Sequence, residues 1–140
     1  MRCSITRVVT FHARHRYHRA DWSEAENRRR FGWTADAPGH GHLYRAEVTV
    51  TGPLDADTQM VMDLTALDVI LTEEIARPLD GRHLNEVVPS FAAGRQLPSC
   101  EALAAWCWER IAGRLPAGVT LERVRVAEDP TLWADCTGSP

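Results

Sequence analysis

Hydrophobic and polar side chains alternate over residues 5–15, which is the period of a half-buried β-strand. The apolar face of this predicted strand carries Ile5, Val9, Phe11, Ala13 and His15. A second alternating stretch, at about residues 40–52, predicts another strand. Its apolar face carries His40, His42, Tyr44, Ala46, Val48 and Val50. Both predicted strands therefore turn histidine side chains toward the core.

Helical spacing of apolar residues occurs in two later segments. The first helix is predicted at about residues 65–77, preceded by a short strand at residues 60–63 and ended by Pro78. The second helix is predicted between an N-cap at Ser99 and Gly113. Its first turn is acidic, which suits the helix dipole.

The remaining segments carry weaker signals. Residues 18–39 are polar and charged and predict a long loop with one helical turn, and a loop of this length in a small domain is usually functional or disordered. A last strand is predicted at about residues 119–128, with a short extended piece at residues 132–134. Two strands, two helices and further strands are typical of an antiparallel α+β fold. The length of 140 residues suits one domain over residues 1–140.

Composition narrows the functional classes. The net charge is −3 with histidine neutral, which argues against nucleic-acid binding because that requires a clustered positive field. No apolar run approaches the roughly 20 residues that span a bilayer, so no membrane contact is expected. The N-terminal residues lack the apolar core of a secretory signal. We therefore expect a cytoplasmic protein.

Arginine and cysteine usage removes some chemistries. All 16 basic residues are arginine, which excludes a lysine Schiff base or a lysine general base. The arginine run at residues 28–30 is interpreted as a solvated loop face, although it could attract an anionic substrate. The cysteines form no C-x-x-C pair and are predicted to be small buried hydrophobes. They are Cys3, Cys100, Cys107 and Cys136.

The tripeptide His40-Gly41-His42 is the sharpest local feature. Residues i and i+2 of a strand point to the same side, so two imidazoles at this spacing can share one ion. His15, on the apolar face of the first strand, is available as a third ligand. Three protein ligands with an open fourth position are typical of catalytic zinc, although an H-x-H pair also occurs without a metal. His12 and His18 fall on the opposite side and are assigned to solvent or to supporting roles.

Two carboxylates occupy positions where an apolar group is expected. Glu128 ends a Val-x-Val face, and Asp80 follows Pro78 and Leu79. A buried carboxylate is costly unless it is hydrogen-bonded or used in function. Simpler interpretations also exist, since Glu128 can reach solvent at a strand end and Glu101 can serve its helix terminus.

Several short motifs follow one another in an order typical of one enzyme family. They are Phe11-His12-Ala13-Arg14-His15, Phe31-Gly32, His40-Gly41-His42, Val61-Met62-Asp63-Leu64, Leu79-Asp80, Ser99-Cys100-Glu101 and Glu128. In these motifs the chain resembles 6-pyruvoyl-tetrahydropterin synthase and its bacterial relative 6-carboxytetrahydropterin synthase over nearly its whole length. The resemblance implies the tunnelling fold, an antiparallel four-stranded sheet backed by two helices. Trimers of this fold close into a β-barrel, and two trimers stack into a homohexamer with intersubunit active sites.

The resemblance also implies a site and a cofactor. The implied ligands of Zn²⁺ are His15, His40 and His42. Glu128 would anchor a pterin-type ring by accepting hydrogen bonds from its N–H groups, and Glu101 would lie close by. The implied substrate is a small molecule with a pterin-like or other ring, converted by proton abstraction in a lyase, isomerase or cyclase reaction.

The chain departs from the family pattern at the proton-abstracting group. The family uses a cysteine in the loop before the H-G-H tripeptide, assisted by an Asp-His pair from a neighbouring subunit. Here Thr34 or Asp36 stands at the cysteine position, depending on which branch of the family sets the register. Asp80 matches the aspartate, Gly81 replaces the histidine, and His83 follows two residues later.

These replacements leave open which residue is the proton-abstracting base. The hydroxyl of Thr34 is too weakly acidic to serve unaided. An ordinary aspartic acid side chain has a pKa of ~4, so Asp36 would need burial to act as the base. An imidazole ordinarily titrates near neutrality, which makes His83 the other candidate, and Asp80 could orient it. The sequence therefore predicts a diverged zinc enzyme. The alternatives are a catalytically inactive homologue that binds zinc and a ligand, and a protein in which the metal is only structural.

Overall fold

The chain folds into one mixed β-sheet with helices on its inner face. The computed structural model describes all 140 residues. The strands are β1 (Arg2–His15), β2 (His40–Pro53), β3 (Arg82–His83), β4 (Thr120–Asp129) and β5 (Leu132–Cys136). The helices are α1 (Glu24–Phe31), α2 (Leu64–Leu71), α3 (Arg77–Leu79), α4 (Leu84–Val87), α5 (Pro89–Ala92) and α6 (Cys100–Ala112). The strand order is β3-β1-β2-β4-β5.

The first two strands determine where the histidines meet. β1 and β2 are antiparallel over their full length, from Arg2 opposite Pro53 to His15 opposite His40. β4 pairs with β2, and β5 pairs with β4, both in antiparallel fashion. The α+β class is thus confirmed, and the register brings His15 and His40 to the same end of the sheet.

The sheet has five strands rather than the four that the resemblance implied. The additional strand, β3, pairs in parallel with β1 at Ala13 and Arg14. It is attached where the Gly81 N–H donates to the His12 carbonyl (2.7 Å) and the His12 N–H donates to Asp80 Oδ1 (2.9 Å). Two residues are too few to show an alternating pattern, so hydrophobic periodicity could not reveal this strand.

The predicted loop at residues 18–39 is largely helical, so that prediction was wrong. α1 follows the N-cap Ser23, whose side chain accepts from the Glu26 N–H (3.1 Å), and a 3₁₀ turn, Gly32–Ala35, comes after it. The buried residue of α1 is Asn27, whose amide binds backbone groups rather than packing in the core. A helix without an apolar stripe shows no hydrophobic period, which is why the pattern missed it.

The boundaries of the other helices agree in part with the pattern. α6 begins and ends as predicted, and the Ser99 side chain accepts from the Ala102 N–H (3.1 Å). Residues 60–63 form no strand, contrary to prediction. Instead the Asp63 side chain caps α2 by accepting from the Thr65 N–H (3.0 Å).

The prediction that the first long helix ends at Pro78 was wrong. α2 continues through a π-helical turn, Thr72–Ala76, into α3. Proline lacks the N–H that would pair with the carbonyl four residues earlier. That carbonyl belongs to Glu74, and it accepts from Arg110 Nε on α6 instead (3.0 Å). A tertiary contact that no local pattern shows therefore supports the helix as far as Leu79.

The core lies between the inner face of the sheet and helices α2 and α6. The long apolar side chains that fill it include Phe11, Leu67 and Leu103. Cys100 and Cys107 are buried, as predicted, whereas Cys3 and Cys136 are half-buried, and all four are free thiols. None of the helices is both long enough and apolar enough to cross a bilayer.

The opposite face and the two edges of the sheet are open in the single chain. Arg125 pairs with Asp135 on this face (2.7 Å), and Arg123 approaches Glu47 (4.0 Å). The outer edge of β1 is covered only by the two residues of β3, and β5 has no strand beyond it. Native proteins normally cover or interrupt long sheet edges. Both edges are largely uncovered here, so their backbone groups are available to pair with another chain.

Candidate active site

The end of the sheet where β1 stops and β2 begins holds the His–Glu cluster, which consists of His15, His40, His42 and Glu128. Each residue offers one ligand atom, and these atoms lie within 4.8 Å of one another. The β1–β2 register accounts for the three imidazoles, because His15 lies opposite His40 and His42 follows on the same side. The structure therefore brings the three predicted metal ligands together with the predicted ring anchor.

His15 is completely buried, and one of its ring nitrogens is held in place. Nδ1 lies 2.8 Å from the Pro98 carbonyl oxygen and 3.1 Å from the Tyr44 hydroxyl. Because a carbonyl only accepts, Nδ1 carries the hydrogen and Nε2 keeps its lone pair. Burial, with a smaller contribution from the neighbouring histidines, lowers the pKa of His15 to about 4. The ring is thus neutral near pH 7, which is the form that binds metals.

The other two rings complete a site that a metal ion fits. His42 Nε2 lies 3.1 Å from His15 Nε2, close to the distance of about 3.3 Å between ligand nitrogens around a tetrahedral ion with bonds of about 2.0–2.1 Å. The rings of His40 and His15 meet edge-on, with centroids 4.6 Å apart, and His40 Nδ1 is buried without a hydrogen-bond partner. Burial also lowers the pKa of His40. Converging imidazoles of this kind suit a divalent cation such as Zn²⁺.

Glu128 closes the cluster from β4. It is 7% exposed, and its Oε2 lies 2.7 Å from His42 Nε2 and 3.6 Å from His15 Nε2. The β4–β5 register shifts at this point, yet Glu128 keeps the inward orientation that the Val-x-Val pattern indicated. It is therefore not a strand-end residue that reaches solvent. Its carboxylate can either bind the ion or accept from the ring N–H groups of a bound molecule.

The first turn of α6 lies against Glu128. Cys100 lies near Glu128, and burial together with that carboxylate raises the pKa of Cys100 to about 12. Glu101 is exposed and close to both Cys100 and Tyr17. Burial, followed by the charges of Glu128 and Glu101, raises the pKa of Tyr17. Glu101 thus borders the His–Glu cluster without belonging to it.

Neither residue at the predicted cysteine position belongs to the cluster. The Thr34 hydroxyl donates to the Phe31 carbonyl (2.5 Å) and is thereby used within the 3₁₀ turn. Asp36 Oδ1 pairs with Arg28 (3.2 Å), and the Asp36 side chain is 47% exposed. Asp36 therefore lacks the burial that a carboxylate base would need.

His83 lies next to the cluster, but Asp80 is not its partner in the chain. His83 Nε2 is 2.6 Å from the Pro38 carbonyl, so Nε2 carries the hydrogen, and Nδ1 is buried without a partner. A Cβ added to Gly39, which directly precedes the first histidine of β2, would lie 3.1 Å from His83 Nε2. The Asp80 carboxylate instead accepts from the His12 N–H and so attaches β3 to β1. The predicted orientation of His83 by Asp80 is therefore not found within one chain.

The remaining histidines and the arginine run are surface features. His12 and His18 lie outside the cluster, as predicted, and His18 Nε2 pairs with Glu24 (2.8 Å). Arg29 and Arg30 both pair with Glu26. These contacts fit the interpretation of the run as a solvated face.

A different set of arginines borders the clefts beside His83. Arg14, Arg16 and Arg82 form no ion pair, unlike most arginines of the chain. Arg14 and Arg82 line an open cleft of about 750 Å³, and Arg16 lines an adjoining cleft of about 370 Å³. His83 lines both clefts. Unpaired guanidinium groups that line adjoining clefts are suited to an anionic group such as a phosphate.

Sequence reasoning missed the residues that surround the cluster. They are Tyr17, Trp33, Tyr44, Pro98 and Cys100. Tyr44 had a signal, because its phenol shares the apolar face of β2 with the histidines. Pro98 had none, and Cys100 had only its place in the Ser99-Cys100-Glu101 motif, because the packing of α6 on the sheet brings both residues to the site.

Comparison with known proteins connects this geometry to a family. Residues 4–139 match the family model described as 6-pyruvoyl tetrahydropterin synthase. Over 124 residues the chain is 42% identical to the 6-pyruvoyl tetrahydrobiopterin synthase of Poecilia reticulata, covering 89% of this chain and 82% of that protein. Over 128 residues it is 28% identical to the dihydroneopterin monophosphate aldolase of Pyrococcus furiosus, covering 91% of each.

A solved structure shows the same fold. The 6-pyruvoyl tetrahydropterin synthase of Caenorhabditis elegans superposes with a TM-score of 0.90 and 29% identity, covering 99% of this chain and 97% of that chain. The family match spans nearly all of β1, β2 and β4, the strands that carry the His–Glu cluster. The chain therefore belongs to the 6-pyruvoyl tetrahydropterin synthase family, whose members are lyase-type enzymes of pterin biosynthesis.

Proposed function

We propose that this protein is a zinc-dependent lyase that converts a pterin-type substrate, with 7,8-dihydroneopterin triphosphate as the first candidate. The observation that carries the proposal is the His–Glu cluster, whose ligand atoms converge within 4.8 Å. Three imidazoles that leave a fourth position for substrate are typical of catalytic zinc. When bound there, Zn²⁺ polarises a substrate hydroxyl or carbonyl and makes a neighbouring proton easier to remove.

The ring of the substrate is assigned to Glu128. A pterin ring carries adjacent N–H donors, and the two oxygens of one carboxylate can accept from both. Burial of Glu128 strengthens such hydrogen bonds, since little water competes for the carboxylate. Glu101, exposed in the first turn of α6, adds negative charge near Cys100 and Tyr17 beside the cluster.

Of the three candidates for the base, we assign the role to His83. Its Nε2–H is held by the Pro38 carbonyl, which leaves Nδ1 as a lone-pair nitrogen with no competing partner. Thr34 has its hydroxyl engaged by Phe31, and Asp36 is exposed in an ion pair with Arg28. A positioned imidazole with a free lone pair meets the requirements of a general base near neutral pH.

Replacing His83 by glutamine is expected to lower kcat by about 10²–10⁴-fold, the usual contribution of a general base. The bound zinc should not change, because His83 is outside the His–Glu cluster. Steady-state kinetics and metal analysis of the purified variant test both points. Asp36→Asn and Thr34→Val serve as matched controls that should retain turnover. A fully active His83→Gln together with an inactive Asp36→Asn would transfer the role to Asp36.

The unpaired arginines support a phosphorylated substrate. Arg14, Arg16 and Arg82 surround the clefts next to the proposed base. Guanidinium groups bind phosphate oxygens through two parallel N–H donors, which gives both energy and orientation. Because His42 and His83 also line the larger cleft, a triphosphate held there would lie beside the His–Glu cluster.

We also propose that the chain works as a homohexamer of two stacked trimers with intersubunit sites. The open edges of β1 and β5 support this arrangement, because pairing them between neighbours removes both edges and closes the sheets into a barrel. Sedimentation velocity should then give a particle of about 94 kDa, six times the 15.7 kDa chain. A monomer at micromolar concentration would contradict the assembly and, with it, any intersubunit site.

Incubation of zinc-loaded protein with 7,8-dihydroneopterin triphosphate, followed by mass spectrometry, tests the function directly. Elimination of triphosphate supports the leading proposal. Cleavage of the side chain would support a second candidate, an aldolase-type reaction. This candidate is favoured by the absence of a cysteine at either of the two candidate positions, Thr34 and Asp36, and by the similarity to the Pyrococcus furiosus aldolase. Recovery of unchanged substrate from zinc-loaded protein would support an inactive binding homologue instead.

A further inference from the structure

We infer that Tyr44 is a positioning residue that holds His15 in the tautomer and orientation required for metal binding. The inference rests on the proposed zinc site. The Tyr44 hydroxyl lies 3.1 Å from His15 Nδ1, on the side of the ring away from the other ligand atoms. Tyr44 follows His42 by two residues on the inner face of β2, so the strand that supplies two ligands also supports the third.

The hydroxyl of Tyr44 is not required for packing. The side chain is 1% exposed, and its ring stacks on Phe11, its partner across the β1–β2 pair, with centroids 5.2 Å apart and planes inclined by 7°. A phenylalanine would make the same stack without burying a polar oxygen. The His15 ring supplies the hydroxyl's one hydrogen-bond contact in the structure. A buried hydroxyl directed at a single imidazole points to a role in orienting that imidazole.

Two oxygens share the Nδ1–H of His15. The Pro98 carbonyl is the nearer, at 2.8 Å, and the Tyr44 hydroxyl is the second. With the hydrogen on Nδ1, the lone pair of Nε2 faces His42 and Glu128. A flipped ring would turn carbon toward both oxygens and lose both contacts. Outer partners of this kind fix the ring and raise the basicity of a ligating histidine.

The change Tyr44→Phe tests the inference, because it removes only the hydroxyl. Metal-free protein is titrated with Zn²⁺, and separately with Co²⁺, in competition with a chromophoric chelator. The affinity for either ion should fall by about 10–100-fold, and the visible absorption of bound Co²⁺ should shift because the His15 ligand is less well held. The matched control is Tyr17→Phe. The Tyr17 ring lies 5.0 Å from that of His15 but makes no hydrogen bond to Nδ1, so the affinity should stay unchanged.

Measurements on the metal-free protein distinguish an effect on folding from an effect on metal binding. Thermal unfolding of metal-free Tyr44→Phe should match or exceed the wild type, since a buried hydroxyl has been removed. An independent measurement is the NMR spectrum of zinc-loaded wild type with ¹⁵N-labelled histidine, where a slowly exchanging Nδ1–H signal from His15 is expected. Unchanged metal affinity in Tyr44→Phe, or absence of that signal, overturns the inference.

The result is distinguishable from a failure of the proposed reaction. Wild-type protein that binds zinc but leaves the pterin substrate unchanged would contradict the lyase proposal. The zinc affinities of the wild type and of Tyr44→Phe could still be compared, so the role of Tyr44 would still be tested. Wild-type protein that binds neither Zn²⁺ nor Co²⁺ would overturn the zinc site, and the role of Tyr44 with it.

Discussion

Replacing His42 by glutamine is expected to reduce the zinc content of the purified protein to near zero and kcat/KM by at least about 10³-fold, because a catalytic metal contributes several kcal/mol to transition-state stabilisation. His42 is the centre of the His–Glu cluster. Its Nε2 lies 3.1 Å from His15 Nε2 and 2.7 Å from Glu128 Oε2. The loss therefore removes one ligand and leaves Glu128 without its nearest partner. Metal analysis and steady-state kinetics measure the two effects.

The matched control for His42 is His12. Its neighbour across the β1–β2 pair is Leu43, so it lies on the opposite face of the sheet from the His–Glu cluster. His12→Gln should keep a full complement of zinc. If His42→Gln retained a full complement of zinc, the three-histidine site would be the wrong assignment. Loss of zinc in His12→Gln as well would indicate a general disturbance of the sheet rather than the removal of a ligand.

Glu128→Gln is expected to lower kcat/KM by about 10²–10³-fold through the loss of ring binding. Glutamine has nearly the same shape, but its amide has one acceptor oxygen, and its NH₂ group would face a ring N–H donor. Two hydrogen bonds to a charged acceptor contribute about 1.5–3 kcal/mol each, and part of this is lost. The effect should appear mainly in KM, since a ring anchor acts before and during the chemical step.

Zinc affinity decides which of two roles Glu128 has. A ring anchor predicts unchanged zinc affinity in Glu128→Gln, whereas a fourth metal ligand predicts a clear loss. Glu101→Gln is the matched control, and it should have a smaller effect because Glu101 is exposed and makes no contact with the His–Glu cluster. Equal losses of kcat/KM in Glu128→Gln and Glu101→Gln would contradict the assignment of Glu128 as the ring anchor.

The convergence of the His–Glu cluster was largely predictable from local pattern. Alternation alone showed that His15, His40 and His42 share the inner faces of two strands, because side chains on a strand repeat every two residues. The same argument oriented Glu128 through its Val-x-Val neighbours. Alternation does not determine the register between two strands. The pairing of His15 with His40 is therefore known only from the structure of the sheet.

The surroundings of the cluster were not predictable, because they depend on contacts between distant segments. Asp80 attaches β3 to β1 rather than orienting His83, and His83 binds the Pro38 carbonyl, 45 positions away in sequence. The polar helix α1 was missed for a related reason, since it has an N-cap and surface ion pairs but no apolar stripe. Hydrophobic periodicity reports the burial of apolar side chains, and none of these features follows that pattern.

A short segment before and within the first turn of α6 touches both halves of the site. Pro98 holds His15 through its carbonyl, and Cys100, two residues later, lies against Glu128. A displacement of this segment would move the proposed metal ligand and the proposed ring anchor together. Occupancy of one half is therefore expected to change the affinity of the other half. Because linkage between binding sites is reciprocal, the factor by which the substrate changes the affinity for the ion equals the factor by which the ion changes the affinity for the substrate.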